Sequence, residues 1–426
     1  MIKEYVGTGT NIRKEVLDNG LTIYFLPLNN RSNYRFNYLT KYGSLMNTFK
    51  LENERAFKKE PYGIAHFLEH KLFEQEDGID PFEKFAKYGI DCNACTNYNY
   101  TSYYITGTDH QKEGLDFLLK YVNSPYFTDQ NVEKEKGIII EELNMYRDDP
   151  GEKLNITALE SIFQNSEARI DIGGTPSSVK KITKEDLYRC YEAFYRPDNM
   201  ILFICGNYDY DEVIKVIKDN EKLINNKSIF KSIVKRENEP YDVNVKYKEI
   251  KINGLMIPKM LYTIKESVQG FNKEDKFTYK FIVDFLLDTI YGESSNFYND
   301  LIKEEKFSDF YSGSYFMDDF LLIELELESK KPKDLIPLIK KYYDETKITE
   351  EDLERYKKVR ISKEVRKFEY VLSGASVIKN DILDYGDVLY NKIDLIKSVS
   401  LDKVKKIKKN IDFDNTSIVI GNTKSK

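Results

Sequence analysis

The sequence predicts an α+β protein of two homologous αβ domains, each a mostly antiparallel sheet flanked by helices. Three observations lead to this fold class. The chain has 426 residues, 41% of them apolar, which suits two domains with substantial cores. Runs rich in β-forming residues alternate with helical stretches. A helix followed by a strand recurs after about half of the length, which indicates an internal duplication.

The chain opens with predicted strands between residues 13 and 44. Asn19-Gly20 is a hairpin-turn signal, and the run after it, Leu21–Leu26, is rich in β-forming residues. After a polar loop, Pro61-Tyr62-Gly63 precedes a helix that we expect to end near Phe73. Residues 93–107 have the β-branched and aromatic content of a strand pair.

Helices and a buried strand complete the first half. Residues 111–122 and 130–147 are predicted to be helical. Thr183 and Asp186 have the spacing of a helix N-terminus, and that helix should end near Tyr195. An apolar strand, Met200–Cys205, then leads into Gly206-Asn207.

The same ending closes the chain. Asp198-Asn199, the apolar strand and Gly206-Asn207 are matched by Asp414-Asn415, an apolar strand and Gly421-Asn422, and the two Gly-Asn pairs are 215 residues apart. We therefore predict a duplicated αβ fold. The predicted parts are an N-terminal domain with the metal site at residues 1–218, a linker at 219–246 and a C-terminal domain without a metal site at 247–426.

Composition and charge exclude several classes of protein. With 65 basic and 71 acidic side chains, the net charge of −6 gives no reason to expect nucleic-acid binding. No apolar run approaches the roughly 18 residues of a membrane helix, so we expect no membrane insertion. The first residues lack the apolar core of a signal peptide, and four cysteines are too few for a disulfide scaffold. These features predict a cytoplasmic protein.

Two of the three histidines, His66 and His70, lie four residues apart, with Glu69 between them. Four residues along a helix amount to a rotation of about 40°, so both imidazoles project to one side and can bind one ion. A helical projection places them away from the apolar stripe that contains Ile64 and Leu68. The alternative is a pair of surface histidines near a carboxylate on the same helix.

A zinc site needs a third protein ligand and an open position. On the helix predicted for residues 130–147, Glu142 shares an apolar face with Ile138, Ile139 and Tyr146, while Glu141 points toward solvent. A carboxylate among apolar neighbours is paired, protonated or bound to a metal, so Glu142 is the predicted third ligand. The alternative is an acidic residue that reaches solvent or pairs with an arginine.

Glu135 lies two turns before Glu142 on nearly the same face, where it can hydrogen-bond to a ligand. A Zn²⁺ ion held by two imidazoles and one carboxylate would acidify a water molecule and polarise a carbonyl group. Glu69 is then placed to take a proton from the water and pass it to the leaving amine. This combination predicts peptide-bond hydrolysis.

The segment His66–His70 has the order His-x-x-Glu-His, and it resembles the motif of the insulinase/pitrilysin zinc peptidases, also called inverzincins. Further segments along nearly the whole chain are similar to this family: Gly63–Ala65, Lys71–Phe73, Asn93–Thr96 with Tyr103-Tyr104, Glu135–Glu142, Ile170–Thr175, Arg196–Asn207 and Gly292–Ser295.

The resemblance implies a clamshell of two αβ halves around a chamber, with a peptide added as a strand near Asn93 and Ala94. It puts Glu142 at the third-ligand position and Glu135 at the upstream acidic position. It also implies a zinc-dependent endopeptidase for peptides or unfolded segments, with processing of a precursor or leader peptide as one use. Such short members work as homodimers or as heterodimers with a paralogous subunit. The alternative is a non-catalytic peptide-binding or assembly subunit of a heterodimer.

Other signals carry less information. Cys92 and Cys95 form a Cys-x-x-Cys pair, which suggests redox or zinc chemistry, but no second pair exists, so two incidental thiols are favoured. His110 is predicted to lie on the surface. The basic run at residues 403–409 is predicted to be a solvated helix face rather than a site for an anionic partner.

Overall fold

A computed structural model of the chain describes residues 1–225 and 230–423. The chain forms two compact units, and each unit is assembled from three segments. The first unit contains Met1–Leu143, Asp171–Arg236 and Val365–Leu383, and the second contains Asn144–Ile170, Glu237–Glu364 and Asp384–Lys426. Each half of the sequence therefore contributes one segment to the unit that is built mainly from the other half.

The first unit contains a large and a small sheet. Its strands within the described residues are β1 (Ile2–Tyr5), β2 (Thr10–Val16), β3 (Thr22–Pro27), β4 (Tyr34–Thr40), β5 (Thr48–Leu51), β6 (Lys58–Lys59), β7 (Asp91–Thr96), β8 (Thr101–Gly107), β9 (Met200–Gly206) and β10 (Ser232–Val234). The large sheet has the order β1-β2-β3-β9-β4-β8-β7, and the small sheet has the order β10-β5-β6. The pair β3–β9 is parallel, and the other neighbours in the large sheet are antiparallel.

The first nine helices are α1 (Ile64–Leu72), α2 (Pro81–Ala86), α3 (Gln111–Val122), α4 (Asp129–Asp148), α5 (Pro150–Ile162), α6 (Pro176–Val179), α7 (Lys184–Phe194), α8 (Tyr210–Asp219) and α9 (Glu221–Asn225). Helices α1, α3 and α7 contribute apolar side chains to one continuous core with β4, β8 and β9. β9 is buried along its whole length, as its apolar run predicts. Helix α5 belongs to the second unit, where it packs on three strands of that unit's sheet.

The second unit repeats the central sheet of the first. Its remaining elements within the described residues are β11 (Tyr247–Ile252), β12 (Lys259–Ser267), α10 (Lys273–Tyr291), α11 (Asn296–Lys303), β13 (Asp309–Met317), β14 (Phe320–Glu328), α12 (Ile336–Glu345), α13 (Glu350–Arg366), α14 (Val371–Tyr385), α15 (Lys392–Ser398), α16 (Leu401–Asn410) and β15 (Thr416–Thr423). Most of α14 and the last residues of α13 belong to the first unit.

The sheet of the second unit has the order β11-β15-β12-β14-β13, with one parallel pair, β11–β15. This order and these strand directions match β3-β9-β4-β8-β7 of the first unit. The predicted duplication of an αβ fold is therefore confirmed at the level of topology.

The local predictions for the first half are confirmed. The Asn19-Gly20 turn joins β2 to β3, and α3 coincides with the predicted helix at residues 111–122. Helix α7 begins with a capping box, in which Thr183 and Asp186 each accept a hydrogen bond from the other's backbone N–H. In the predicted linker, residues 226–229 lie outside the described residues, while α9 and β10 are ordered elements and β10 pairs with β5.

Membrane insertion finds no support in the helices. Within the part of the chain that the structure describes, no helix is both long enough and apolar enough to span a bilayer.

Candidate metal centre

The start of α1 is fixed by a close contact between two glycine-containing turns. Gly63 precedes the helix with φ of 88°, and a Cβ there would lie 2.2 Å from the carbonyl oxygen of Gly173. Gly174 has φ of 78°, and a Cβ there would lie 2.4 Å from the carbonyl oxygen of Tyr62. Glycine is required at both positions by the left-handed backbone and by the lack of space. The Gly173-Gly174 turn thereby sets the position of the helix that carries His66.

Helix α1 presents both histidines on one side. The centroids of the His66 and His70 rings are 4.6 Å apart. Both side chains are largely buried, with 17% of His66 and 26% of His70 exposed. Most other residues of α1 are buried as well, including Phe67 and Leu68. The helix is therefore enclosed on nearly all sides, and the two histidines are among its more exposed residues.

Glu142 of α4 approaches the two histidines. Its Oε2 atom lies 3.9 Å from Nε2 of His66 and 3.5 Å from Nε2 of His70. One nitrogen from each histidine and one oxygen of Glu142 all lie within 4.8 Å of one another. Three donors at this separation can converge on one cation after small side-chain movements. Glu141, one residue earlier, is exposed.

The surroundings of Glu142 differ from those predicted. Ile138 and Tyr146 were expected to form a buried apolar face around it, but their exposed fractions are 46% and 47%. On this part of α4, Ile139 and Leu143 are the buried apolar residues. The helical periodicity correctly separated Glu142 from Glu141, but the assumption that every apolar residue on that face is buried was wrong.

A chain of polar contacts supports His70 from behind. Nδ1 of His70 lies 3.1 Å from Oε1 of Glu135, which leaves Nε2 directed toward Glu142. The other oxygen of Glu135 lies 3.8 Å from Nζ of Lys71, whose side chain is completely buried. Lys71 also contacts Glu74 and donates to the backbone oxygen of Asn131 at 3.3 Å. Glu135 thus occupies the position expected of a group that orients a ligand.

Glu69 lies between the histidines and the sheet. The hydroxyl of Thr96, on β7, donates to its Oε2 at 2.5 Å. Burial raises the pKa of Glu69, and the hydrogen bond from Thr96 counteracts part of that effect. Three buried tyrosines, Tyr103, Tyr121 and Tyr195, have pKa values raised by burial and further by the Glu69 charge. This aromatic layer shows why the carboxylate is poorly solvated.

The two histidines differ in their electrostatic surroundings. Burial, together with the charge of His70, lowers the pKa of His66 to about 4. Burial also lowers the pKa of His70, but the hydrogen bond to Glu135 and the nearby carboxylates outweigh it and raise this pKa above its ordinary value. Burial raises the pKa of Glu135, but its pairing with His70 is stronger and the net shift is downward. In the metal-free protein, His66 is therefore neutral over a wide pH range.

The donor set fits a zinc ion. It consists of two imidazoles and one carboxylate, the combination that catalytic zinc sites use together with one open position. Nδ1 of His66 is buried, and it has no hydrogen-bond partner within residues 1–225 and 230–423. The nitrogen of His66 that faces Glu142 is Nε2, so this unpartnered atom is not one of the three donors. Outside this cluster, the described residues contain no other group of three potential ligands at such distances.

Asn93 and Ala94 lie on β7, the edge strand of the large sheet. Asn93 is exposed and Ala94 is half-buried. Helix α1 packs across this strand, and Thr96 links the strand to Glu69. The edge strand β7 therefore lies next to the helix that carries His66 and His70 and contacts Glu69.

Two residues at the site were missed by the sequence analysis. Thr96 and Lys71 were noted only as members of similar segments, and neither was given a role. Lys71 carried a signal, because a charged residue lies there between the apolar residues of a buried helix. For Thr96, no sequence pattern indicates that it contacts Glu69.

The remaining signals behave as ordinary surface or core groups. Cys92 and Cys95 are free thiols on β7. His110 is exposed at the start of α3. Most of the lysines of the basic run are exposed on α16.

Comparisons with known proteins agree with the geometry. Residues 55–175 match the family described as insulinase (peptidase family M16), and residues 181–360 match the peptidase M16 inactive domain. The chain is 38% identical over 323 residues to the uncharacterized zinc protease YmfH of Bacillus subtilis (strain 168), which covers 74% of each protein. The chain belongs to the insulinase family. Within this family, the His-x-x-Glu-His helix lies in the part that matches the peptidase description.

Solved structures of insulinase-family proteins share the fold. An M16-like peptidase from Alicyclobacillus acidocaldarius is 28% identical and superposes with a TM-score of 0.92, covering 99% of this chain and all of that chain. A protease from Helicobacter pylori, at 19% identity, has a TM-score of 0.80 over 97% of this chain and 99% of that chain, which shows a common fold.

Proposed function

We propose that this insulinase-family protein is a zinc-dependent endopeptidase that hydrolyses peptides or unfolded polypeptide segments. The observation that carries the proposal is the cluster of His66, His70 and Glu142, whose donor atoms lie within 4.8 Å of one another beside the buried carboxylate of Glu69. Metal ligands without a nearby base would support only metal binding. A buried carboxylate without metal ligands would support only a structural role.

When bound, a zinc ion supplies a Lewis acid that polarises the peptide carbonyl and acidifies water. In the proposed site, His66, His70 and Glu142 hold the ion, and Glu135 orients the ring of His70. The Glu69 carboxylate, directed by the Thr96 hydroxyl, accepts a proton from water and later donates it to the leaving amine. Burial raises the pKa of Glu69, which makes its carboxylate a stronger base.

The substrate is proposed to bind as an added strand on the free edge of β7. Backbone groups at Asn93 and Ala94 then hydrogen-bond to the peptide, which gives affinity without a strict sequence requirement. The strand contacts α1, so a peptide held there lies next to the ligands and to Glu69.

The test is the variant Glu69→Gln. We expect it to bind one zinc ion, as the wild type does, and to hydrolyse peptides about 10²–10⁴-fold more slowly, because a positioned base contributes that much. The matched control is Glu141→Gln, which changes an exposed carboxylate on α4 and should keep both properties. A turnover of Glu69→Gln equal to that of the wild type would exclude this mechanism.

The alternative proposal is a non-catalytic peptide-binding or assembly subunit. It is favoured by the match of residues 181–360 to a domain described as inactive. The presence of all three candidate ligands and of Glu69 argues against it. Purified wild-type protein without stoichiometric zinc, or without activity on any peptide, would favour this alternative. An enclosing chamber, a homodimer or heterodimer, a cytoplasmic location and precursor or leader-peptide processing remain predictions.

A further inference from the structure

One face of the large sheet carries an unusual group of polar side chains next to the proposed substrate strand. In the register of β7, β8 and β4, Asn93 lies opposite Tyr104, and Tyr104 lies opposite Asn37. Thr106 lies opposite Arg35 two residues further along the strands. Because side chains alternate along a strand, all five point to the same face. Alternate residues of these strands, such as Phe36 and Tyr103, enter the helix-covered core on the other face.

Arg35 is held in place on this face by neutral groups. Its guanidinium carbon lies 3.8 Å from the centroid of the Tyr104 ring, Nη1 donates to Thr106 at 3.2 Å, and Nε donates to Asn37 at 3.3 Å. Within residues 1–225 and 230–423, it forms no ion pair, although Asp91 occupies the same row on β7. The remaining N–H groups of the guanidinium are thus available to a ligand.

A second cation, Lys379 of α14, has a similar environment. Its Nζ donates to the hydroxyl of Tyr100 at 3.2 Å and lies 5.0 Å from the centre of that ring. It too forms no ion pair in the described part of the chain. Burial raises the pKa of the Cys95 thiol on β7, while the charges of Lys379 and Arg35 lower it and the charge of Glu69 raises it. Both cations and the candidate base therefore act on the same edge strand.

We propose that Arg35 forms a subsite for a carboxylate of the peptide substrate, and that Lys379, beside Tyr100 just before β8, adds positive charge along the same edge. Half-buried cations on this acidic chain commonly pair with carboxylates, as Arg189 does with Glu54 and Glu60. A guanidinium that is already oriented by a ring and two hydroxyl or amide oxygens loses little conformational entropy when it binds an anion. The subsite rests on the proposed function, because it needs a peptide along β7.

The register makes the preference specific to position. Arg35 lies on β4, which is separated from β7 by β8. Its guanidinium lies over Tyr104 of β8, and β8 is about 5 Å from β7. A peptide residue that pairs with Asn93 points its side chain to the same face as Tyr104 and Arg35, and so do the residues two positions away. The neighbouring residues point to the opposite face. The subsite therefore reads the peptide position paired with Asn93 and the nearest positions on the same face, but not the residues between them.

The test uses neutral fluorogenic peptides with one scissile bond, an amidated C-terminus and a single glutamate moved one position at a time. We expect kcat/KM to alternate along the series, with a gain of about five- to tenfold at alternating positions that declines with salt. A neutral peptide with a free C-terminal carboxylate distinguishes a chain end from a side chain as the anion source. Either kind of preference supports the subsite.

Arg35→Gln should abolish the preference for glutamate-containing peptides, and Lys379→Gln should reduce it. If Arg35→Gln does not fold, Lys379→Gln provides the test. The control is Lys112→Gln, an equal charge change on the exposed side of α3. Affinities of the same peptides for zinc-loaded Glu69→Gln protein, measured by fluorescence anisotropy, test the subsite without catalysis. The proposal would be overturned if binding and kcat/KM did not depend on the position of the glutamate. It would also be overturned if both variants kept the preference for glutamate. Absence of cleavage together with position-dependent binding would overturn the proposed hydrolysis and support the subsite.

Discussion

Replacement of Thr96 by valine tests how the candidate base is held. The substitution keeps the shape of the side chain but removes the hydroxyl that donates to Glu69 Oε2 at 2.5 Å. A hydrogen bond to a charged group contributes about 1.5–3 kcal/mol. If about half of this contribution is specific to the transition state, the barrier rises by about 0.8–1.5 kcal/mol and kcat falls about 4- to 13-fold. Zinc content should not change, because Thr96 contacts no candidate ligand.

The pH dependence of Thr96→Val should also change, and its direction follows from the contacts. Burial raises the pKa of Glu69, and the Thr96 hydrogen bond lowers it. Loss of that bond raises the pKa further. Since a general base acts in its ionised form, the acid limb of kcat/KM should move to higher pH. A variant that is only partly folded would lose activity without moving this limb.

The assay is steady-state cleavage of a fluorogenic peptide over a range of pH, with zinc content measured on the same samples. Thr96→Ser is the matched control, because it retains the hydroxyl and should restore kcat and the acid limb. A valine variant with wild-type kcat and an unshifted acid limb would refute the role assigned to the hydroxyl.

Three further predictions concern the metal and the cores. Glu135→Gln should lower zinc affinity about 10- to 100-fold because His70 loses the carboxylate that orients its ring, whereas Glu141→Gln should not; equal affinities in a chelator competition would contradict this. Zinc affinity of the wild type should fall as pH is lowered through the pKa of His70, because a proton then competes with the metal for the ring. Burial lowers this pKa, but Glu135 outweighs burial and raises it above its ordinary value. Calorimetric titrations that give a pH-independent affinity would disagree. Lys265→Met should lower the free energy of unfolding by about 3–5 kcal/mol because it leaves the buried carboxylate of Glu239 without its cation, 2.6 Å away; unchanged urea denaturation would rule this out.

The features that depend on neighbouring residues were predictable from the sequence. An α-helix has a period of 3.6 residues, and this period can be read from a short stretch of sequence. It places His66 and His70 on one side of their helix, and it favours Glu142 over Glu141. The burial assigned to Ile138 did not follow, because periodicity shows which residues share a face and not what covers that face.

The contacts between distant segments were not predictable in this way. Thr96 reaches Glu69 across 27 residues of sequence, and the contact depends on how α1 crosses β7. Arg35 meets Tyr104 through the register of two antiparallel strands. Register and crossing geometry are set by the packing of the whole core, so they leave no local signal.

The sequence by itself determined the main helices and strands of the first half, the duplicated αβ fold and the set of candidate metal ligands. The tertiary structure alone decided that residues 144–170 belong to the second unit and residues 365–383 to the first. The sequence of an amphipathic helix such as α5 or α14 shows which side of the helix is apolar. It does not show which of two similar sheets that side packs on. The tertiary structure also decided which polar groups support the site, because hydrogen bonds and ion pairs form between side chains that only the folded chain brings together.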